Sequence, residues 1–372
     1  MVGRFHIFDL ANQLNKAGIL HKIITTYPKF KVKEWGISSK QIVSEPYLEL
    51  LNRIRHKIPF FTSDGINKFL KKKHDKKSTK YIDECNIFIG LSGSSLSSIL
   101  EAKSKNKIAI LERGSCHYSY GVNILSEEYK HYGQEYHPNF HQWQQELLEY
   151  ELADYISVPS SFVKRSFVEY GVHESKIFVN PYGVNLSQFL QTEKIDSVFR
   201  VVFCGRLCIR KGSHYLLQAM FESDIPNFEF WHIGGISEDM EPFIKEYNSE
   251  KIIFKGSMSQ SKLYKMFSQC NVFCIPSLEE GMALVQLQAM ACGLPLICST
   301  NTGGDDLISE DGREGFVIPI RSVSAIKEKI QFLYDNPTKC RAMGLAAKER
   351  VIKGFSWDDY GKRYVDFLNK IK

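Results

Sequence analysis

The sequence lacks any apolar run long enough to cross a membrane. Among its 372 residues no such run approaches the roughly 18–20 residues that a membrane-spanning helix needs. Its first residues, MVGRFHIFDL, also lack the apolar core and cleavage site of a secretory leader. We therefore expect a cytoplasmic protein. With 43% apolar and 24% charged residues the composition is that of an ordinary globular chain, and the length suits two domains.

Several motifs of nucleotide and metal chemistry are missing as well. Neither GxxxxGK[ST] nor GxGxxG occurs, which argues against a kinase of the P-loop type and against a dehydrogenase. The nine cysteines include pairs four apart, such as Cys204 with Cys208, but not the CxxC spacing of zinc sites. His131, His137 and His141 do not fit an HExxH pattern. We predict no metal and no cofactor.

The net charge of +6 is distributed unevenly along the chain. Arg53 to Lys80 contains ten lysines and arginines and two aspartates, a local charge of +8, so that the rest of the chain sums to −2. One interpretation is a solvated helix face. The other is a peripheral contact with anionic lipid headgroups, because apolar residues alternate with the lysines; these residues are Ile58, Pro59, Phe60, Phe61, Ile66, Phe69 and Leu70. Nucleic acid is not an expected partner, since no recognisable binding motif accompanies the charge.

Strands alternate with helices along most of the chain. The alternation is difficult to follow between Phe30 and Lys80, where two or three helices are expected, and the chain starts on a helix with no strand before it. Leu186 to Ser197 is polar and aperiodic and is the predicted linker, and a clearer alternation begins at Arg200. This pattern predicts an α/β protein with two Rossmann-like, doubly wound domains. Their interface is the expected ligand cleft.

Two cations follow the first strand of the second half. In VVFCGRLCIRKG the strand ends at Gly205, and Arg206 and Lys211 flank the turn that Gly212 closes. Arginine can donate to two phosphate oxygens at once, while lysine adds a mobile point charge. Together they suit a diphosphate.

The segment from Asn271 to Thr300 predicts one βαβ unit with polar residues between its strand and its helix. Helix amino termini attract anions, and open α/β sheets bind ligands at the carboxyl ends of their strands. Glu280 in the turn and Gln288 on the helix are eight residues apart, so both can face one cleft. Carboxylate and amide groups suit the hydroxyls of a sugar or ribose. Without further context, an exposed helical side chain is the more common explanation of Gln288.

His117 follows a predicted strand of the first half and the residues ERGSC. On a strand-end loop that faces the interdomain cleft, it could hydrogen-bond a ligand or stabilise charge. The alternative is a structural histidine, one of eleven in the chain.

Three stretches resemble the carboxyl half of glycosyltransferase family 4, the "glycosyl transferases group 1" set of the GT-B fold. They are GRLCIRKG, NVFCIPSLEEGMALVQLQAMACGLPLICSTNTGG and DGREGFVIP. In the first half, ADYISVPSSFVKRSFVEYG and KIFVNPYGVNLSQF look like the family's strand, helix and strand before the linker. The resemblance covers nearly the whole chain except Phe30 to Lys80. It implies two Rossmann-like domains that face a central cleft.

The resemblance also implies roles for individual residues. The implied donor-phosphate ligands are Arg206, Lys211, Leu284, Val285 and Gly3, the last as the remnant of a glycine-rich loop. The implied donor-sugar contacts are Glu280, Gly281, Met282 and Ala283, with Gln288 at the ribose and Ser257 and Met258 near the base. His117 and Glu280 are the implied catalytic residues. Such enzymes retain anomeric configuration without a metal ion.

The implied function is transfer of a sugar from a UDP- or GDP-sugar to a glycolipid or polysaccharide acceptor. The implied domains are residues 1–188, residues 198–355, and a last helix at 356–372 that crosses back to the first domain. The sequence departs from the family in three places. Gln288 stands where glutamate is usual, Met282 and Ala283 where phenylalanine and glycine are common, and the family's first strand is missing.

These departures favour an alternative, a catalytically impaired binding or scaffold subunit of a glycosyltransferase assembly. An epimerase or phosphorylase of the same fold is a third interpretation that no residue pattern singles out. The donor sugar and the base stay open.

Overall fold

The computed structural model of the chain describes residues 6–54 and 63–371. Within these ranges the strands are β1 (Ile23–Thr25), β2 (Ile42–Ser44), β3 (Ile87–Leu91), β4 (Ile108–Glu112), β5 (Tyr155–Val158), β6 (Ile177–Val179), β7 (Phe199–Cys204), β8 (Phe228–Ile233), β9 (Ile252–Phe254), β10 (Val272–Ile275), β11 (Leu296–Ser299) and β12 (Gly315–Ile318). The helices are α1 (Ile7–Lys16), α2 (Lys29–Val32), α3 (Pro46–Ile54), α4 (Ser63–Ser78), α5 (Leu96–Ser104), α6 (Tyr118–His131), α7 (Phe140–Leu152), α8 (Ser161–Glu169), α9 (Ser213–Phe221), α10 (Glu241–Glu246), α11 (Gln260–Phe267), α12 (Leu284–Ala291), α13 (Val323–Asp335), α14 (Pro337–Gly354) and α15 (Trp357–Lys370).

The carboxyl-terminal domain contains a six-stranded parallel sheet in the order β12-β11-β10-β7-β8-β9. Every residue of β7, β10 and β11 is buried. Strands covered by helices on both faces are continuously apolar, which explains why VVFC, VFCI and LICS are recognisable in the sequence. The alternation of the sequence predicts strands at 228–233, 252–254, 272–275 and 315–318, and these bounds agree to the residue with β8, β9, β10 and β12.

The amino-terminal domain contains two separate parallel sheets within the described residues. One has the order β3-β4-β5-β6, and the other pairs only β1 with β2. The two- or three-helix interpretation of Phe30 to Lys80 was incomplete, because β2 lies inside that segment together with α3 and α4. The three residues of β2 are too few to show a strand periodicity. Both domains are nevertheless parallel α/β units, which confirms the predicted fold class.

The last helix, α15, packs against α1 of the amino-terminal domain. It begins with a capping box formed by Ser356 and Asp359. The Tyr364 hydroxyl donates to Glu112 at the end of β4, at 2.6 Å, and the other Glu112 oxygen lies 2.7 Å from the His6 ring. The first and last described helices are therefore tied to the same carboxylate. The boundaries at 188, 198 and 355 stay a prediction.

Buried apolar residues form one large cluster and two smaller ones. The large cluster fills the carboxyl-terminal domain and reaches the amino-terminal domain through α1 and α15. A second cluster lies under β3–β6, and a third joins α1 to β1 and β2. No described helix is long and apolar enough to span a bilayer.

Candidate functional site

Strands β7 and β10 are neighbours in the sheet, so the loops that follow them lie side by side. Val201 pairs with Val272 and Val202 with Phe273, in parallel register. The loop after β7 contains Arg206 and Lys211, and the turn after β10 contains Glu280. Because parallel strands end at one edge of a sheet, both loops lie at the carboxyl edge where α/β proteins bind ligands.

A glycine allows the two loops to meet. Gly212 has φ of +61°, and a Cβ atom there would lie 2.0 Å from the carbonyl oxygen of Pro276. Any side chain at 212 would push the β10 turn away from the β7 loop. The contact brings the Lys211 ammonium group into an ion pair with the Glu280 carboxylate.

Lys211 is a largely enclosed cation, with 12% of its side chain exposed. Burial, together with the neighbouring Arg210 charge, lowers the pKa of Lys211 to about 7. Its only carboxylate partner among the described residues is Glu280. A phosphate anion bound next to Lys211 would raise this pKa again and keep the ammonium group protonated at pH 7.

Arg210 is a site residue that the sequence interpretation missed. Its Nη1 atom donates to the Glu279 carbonyl oxygen at 2.8 Å and lies 3.2 Å from a carboxylate oxygen of both Glu279 and Glu280. Arg206, the predicted cation, is exposed and has no hydrogen bond to a described residue. Its position directly after Gly205, at the end of β7, still places it at this edge. The sequence places Arg210 directly before Lys211 in the run LCIRKG. Only the geometry of the turn shows that Arg210 holds the turn whereas Arg206 points to solvent.

Glu279, the carboxylate next to Glu280 in the turn, reaches across to the amino-terminal domain. Its side chain is 4% exposed. Ser115 donates its hydroxyl to the carboxylate, and the Cys116 N–H donates at 3.1 Å. Burial alone would raise the pKa of Glu279, but Arg210 and these hydrogen bonds lower it to about 2.

The turn that contains Glu280 is fixed by the strand next to it. The Glu280 N–H donates to the Asn301 carbonyl at 2.9 Å, and the Asn301 amide donates to the Leu278 carbonyl at 2.9 Å. Gly281 follows, with its carbonyl accepting from the Ser160 hydroxyl at 2.6 Å. A rigid turn therefore presents the Glu280 carboxylate.

Helix α12 starts four residues after Glu280. The predicted phosphate contacts Leu284 and Val285 are its first two residues, whose backbone N–H groups have no acceptor inside the helix. The predicted sugar contacts Met282 and Ala283 are buried just before it. These positions follow Glu280 closely in the chain, at the same edge of the sheet as the ion pair between Lys211 and Glu280.

Gln288 lies on α12 and is only 5% exposed. Its Oε1 atom is buried and has no hydrogen-bond partner among the described residues. The exposed-side-chain interpretation is therefore wrong. A buried amide oxygen without a partner is costly, by about 1–3 kcal/mol, and a ligand hydroxyl would satisfy it.

His117 begins α6 as its N-cap residue. Its ring stacks on Tyr170, with centroids 4.7 Å apart, and contacts Tyr150 and Phe167 at 5.1 Å. Burial, followed by the Arg113 charge, lowers the pKa of His117 to about 4, so the ring is neutral at pH 7. Its Nδ1 atom is buried without a partner in the described part of the chain.

No described contact joins the other predicted positions to the Lys211–Glu280 pair, including Arg206, His117 and Gln288. Ser257 and Met258 follow β9, at the far side of the six-stranded sheet from β12. Gly3 lies outside the described residues. Nor does the described part of the chain contain a group of three or more potential metal ligands.

The domains meet through further polar contacts around the site. The carboxylate of Glu128 on α6 is buried and accepts from Tyr215 at 2.6 Å, with His214 and Arg321 at 2.7 and 2.6 Å. Two cavities of about 430 and 440 Å³ lie elsewhere, in the amino-terminal domain. In this structure the two domains contact each other at the site, where the carboxylates of Glu279 and Glu280 pair with Arg210 and Lys211.

Comparison with known proteins relates part of this chain to a described family. Residues 188–350 match the family model described as "Glycosyl transferases group 1". An uncharacterised glycosyltransferase of Methanocaldococcus jannaschii is 29% identical over 206 residues, which are 55% of this chain and 56% of that protein. The GDP-mannose-dependent alpha-(1-6)-phosphatidylinositol monomannoside mannosyltransferase of Mycolicibacterium smegmatis is 24% identical, over 58% of this chain and 62% of that protein. The matched part thus spans little more than half the length of these relatives.

Among solved structures, HepE of Anabaena in complex with UDP and glucose superposes with a TM-score of 0.71. The superposition covers 98% of this chain and 94% of HepE, at 15% identity. At such low identity the likeness concerns the fold alone. Residues 188–350 therefore match the model of the group 1 glycosyl transferases, in a chain that has the GT-B fold.

Proposed function

We propose that this protein is a glycosyltransferase that moves a sugar from a nucleotide-diphosphate-sugar donor to a glycolipid or polysaccharide acceptor. The observation that best supports the proposal is the convergence of Lys211, Glu280 and the amino terminus of α12 at one edge of the sheet. Cations and free N–H groups suit the leaving diphosphate, and a carboxylate suits sugar hydroxyls. Retention of configuration and independence from metal ions belong to the same proposal, through the resemblance to the family.

In this proposal the donor displaces the internal ion pairs of the closed site. Its diphosphate replaces Glu280 at Lys211 and reaches the exposed guanidinium of Arg206. Glu280 is then released to hydrogen-bond the donor sugar, beside Gly281, Met282 and Ala283.

The nucleoside occupies the neighbouring part of the cleft. A ribose hydroxyl donates to the buried Oε1 of Gln288, which the structure leaves without a described partner. The loop at Ser257 and Met258 faces the base. Both uridine and guanosine remain candidates, since HepE was solved with UDP and the mycobacterial relative is named for GDP-mannose.

His117 is the proposed contribution of the amino-terminal domain to the reaction. A neutral imidazole can donate one hydrogen bond to a sugar hydroxyl or leaving oxygen without repelling the nearby cations. The acceptor would attack on the face from which the diphosphate leaves, which retains the anomeric configuration.

A panel of UDP- and GDP-sugars tests the proposal by donor hydrolysis and by thermal shift. We expect one donor to stabilise and be turned over by the protein, and Arg206→Ala to weaken its binding. Arg313→Ala is the matched control, an exposed arginine with a carboxylate neighbour in the same domain. Absence of both turnover and stabilisation with every donor would refute the proposal.

The second candidate is a catalytically impaired subunit that keeps the fold as a binding scaffold. Gln288 favours it, because an amide binds ribose without the charge of the usual glutamate. Gln288→Glu distinguishes the two. Turnover by the unchanged protein eliminates the scaffold, whereas turnover only in the variant, or in neither, supports it.

The acceptor side is proposed to contact an anionic membrane surface through the basic segment. Within the described part of that segment, Phe69 is 56% exposed and Lys72, Lys73 and Lys76 lie on the same face of α4. Leu70 is fully buried, so it does not belong to this face, contrary to the sequence interpretation. The segment's residues 55–62 lie outside the described residues.

Neighbouring helices extend the same face. Lys73 lies over the rings of Tyr47 and Phe69, at 5.1 and 5.6 Å, and joins α3 to α4. Leu50 and Phe30, 60% and 66% exposed, line a groove between α3 and α2. Exposed apolar side chains surrounded by lysines are the arrangement that adsorbs to anionic lipid.

Vesicle co-sedimentation tests this part of the proposal. We expect binding to vesicles that contain anionic lipid, weakened by salt, and reduced in Phe69→Ser and in Lys72→Gln/Lys76→Gln. Lys339→Gln, on α14 of the other domain, is the control. Binding that ignores lipid charge and ionic strength would contradict it.

A further inference from the structure

The structure contains one carboxylate that connects the two domains at the predicted catalytic residues. Glu279 is buried, and three groups donate to it. Two come from the amino-terminal domain, the Ser115 hydroxyl and the Cys116 N–H at 3.1 Å. The third is Arg210 of the carboxyl-terminal domain, at 3.2 Å. A buried carboxylate whose hydrogen-bond donors come from both domains is stabilised only when the two domains are docked.

Arg210 fixes the turn from its own domain. The Leu278 N–H donates to the Arg210 carbonyl at 3.0 Å, while the Arg210 side chain donates to the Glu279 carbonyl at 2.8 Å. Backbone and side chain of one residue thus hold both sides of the turn. The orientation of the Glu279 carboxylate is set before the amino-terminal domain meets it.

Arg113 fixes the opposite loop in the same way. Its Nε and Nη2 atoms donate to the Cys116 carbonyl at 3.0 and 2.9 Å, and its Nη1 atom is paired with the buried Glu146. The loop at 113–117 is therefore rigid before docking, with the Cys116 N–H directed at Glu279. Two preformed surfaces meet, which favours a single docked geometry.

The backbones at the contact touch directly. A Cβ atom on Gly281 would lie 2.0 Å from the Gly114 carbonyl oxygen, so only glycine permits this approach. Cys116 is the residue before His117, and Glu279 is the residue before Glu280. Docking at Glu279 therefore determines how His117 and Glu280 lie relative to each other.

We propose that Glu279 is a positioning residue, which docks the 113–117 loop onto the 278–281 turn and so assembles the two halves of the active site. Only the expected effect of Glu279 on catalysis rests on the proposed function. The docking itself is a property of the protein without donor. Glu279 touches neither the proposed sugar position nor the proposed phosphate position, and it acts through Glu280 and His117.

Glu279→Gln is the principal test, since glutamine keeps the shape and removes the charge. We expect kcat to fall about tenfold or more, the range for loss of one charge-assisted hydrogen-bonded contact, while the Kd of the nucleotide diphosphate stays nearly constant. Glu127→Gln is the matched control, because Glu127 also pairs across the domains, with Arg321, but is largely exposed. It should leave both quantities unchanged.

A second measurement needs no donor. Hydrogen–deuterium exchange of the peptide that covers residues 113–118 reports the Cys116 N–H directly. In Glu279→Gln this peptide should exchange faster than in the unchanged protein, and in Glu127→Gln it should not. If the protein turns over no donor, this exchange difference still tests the docking, so failure of the proposed function is separable from failure of this inference.

Two results would overturn the inference. One is unchanged kcat and unchanged exchange in Glu279→Gln. The other is an equal loss of nucleotide affinity and kcat, which would make Glu279 a donor ligand. Should Glu279→Gln not fold, Ser115→Ala removes one donor and leaves the charge with its other partners. It should shift kcat and the exchange in the same directions by a smaller factor, and no shift in either would again contradict docking.

Discussion

The two domains differ in how their buried residues are connected. The carboxyl-terminal domain packs six strands around one continuous cluster, whereas the amino-terminal domain divides its core between two sheets and several clusters. A continuous core holds the donor-side loops in fixed positions. A divided core leaves the amino-terminal half dependent on contacts with its neighbours, through α15 and through Glu279.

Truncation of a core phenylalanine in each domain should give the largest effects and test this difference most directly. Phe273→Ala in β10 removes a fully buried ring from the continuous cluster and should cost about 3–5 kcal/mol of unfolding free energy. Phe8→Ala should loosen mainly α1, β1 and β2, because Phe8 belongs to the small cluster there.

Calorimetry combined with peptide-level hydrogen exchange checks both variants. Phe30→Ala, at an exposed position, is the control and should change neither. If Phe8→Ala lowered the protection of the six-stranded sheet as much as Phe273→Ala does, the two domains would share one cooperative core and the comparison would fail.

The donor side should respond next most strongly, to the loss of one buried cation. Lys211→Ala removes a charged hydrogen-bond donor to the proposed diphosphate, worth about 1.5–3 kcal/mol, so kcat/KM for the donor should fall roughly 10- to 150-fold. The exposed Lys255 at the end of β9 provides the control variant Lys255→Ala. Donor turnover that is insensitive to Lys211→Ala would place the phosphates elsewhere.

The tie between α15 and the amino-terminal domain should contribute less. Tyr364→Phe removes the hydroxyl that donates to the buried Glu112, which should cost about 1–3 kcal/mol. The loss should appear as faster exchange in α15 and α1. Tyr334→Phe serves as the comparison, because the structure gives that hydroxyl no described hydrogen bond. Equal effects of the two variants would show that the Glu112 contact adds nothing.

The donor side should also show a pH dependence of nucleotide binding. The pKa of Lys211 is about 7, and a bound phosphate would raise it. Below pH 7 the ammonium is already charged, so affinity is full there. Above pH 7 binding requires uptake of a proton, so affinity falls as pH rises, by at most about tenfold per pH unit. Titration calorimetry with UDP and GDP between pH 6.5 and 9 measures this slope.

Lys211→Arg sharpens the same experiment. A guanidinium stays charged throughout this range, so its profile should be nearly flat above pH 7. A wild-type slope that equals the slope of the variant would show that Lys211 keeps its proton in the free protein.

The carboxyl-terminal domain was predictable because its signals are local. Strand β10, the turn at Glu280 and helix α12 follow one another within about twenty residues. The sequence predicts the helix at 283–292, which differs from α12 by one residue at either end. The amino-terminal domain gave weaker signals. Strand β2 is too short to be periodic, and its pairing with β1 depends on residues seventeen positions or more away.

The candidate site shows the same division. Lys211 and Glu280 lie close together because β7 and β10 are neighbours in the sheet, and the family resemblance had implied that both residues contact one donor. The choice of Arg210 over Arg206 as the residue that holds the turn does not follow, since both are cations in one short loop. Glu279 and Glu280 are likewise adjacent and chemically identical, yet one is buried at the domain interface and the other faces Lys211.

The sequence by itself determined the parallel α/β architecture, since buried strands must be apolar along their whole length and loops must follow them at one edge. It also determined which segments contribute charge to that edge. Only the tertiary structure decided which charge meets which. Burial, hydrogen-bond partners and the closeness of Gly281 to Gly114 arise from residues more than 160 positions apart, and local sequence does not encode such distances.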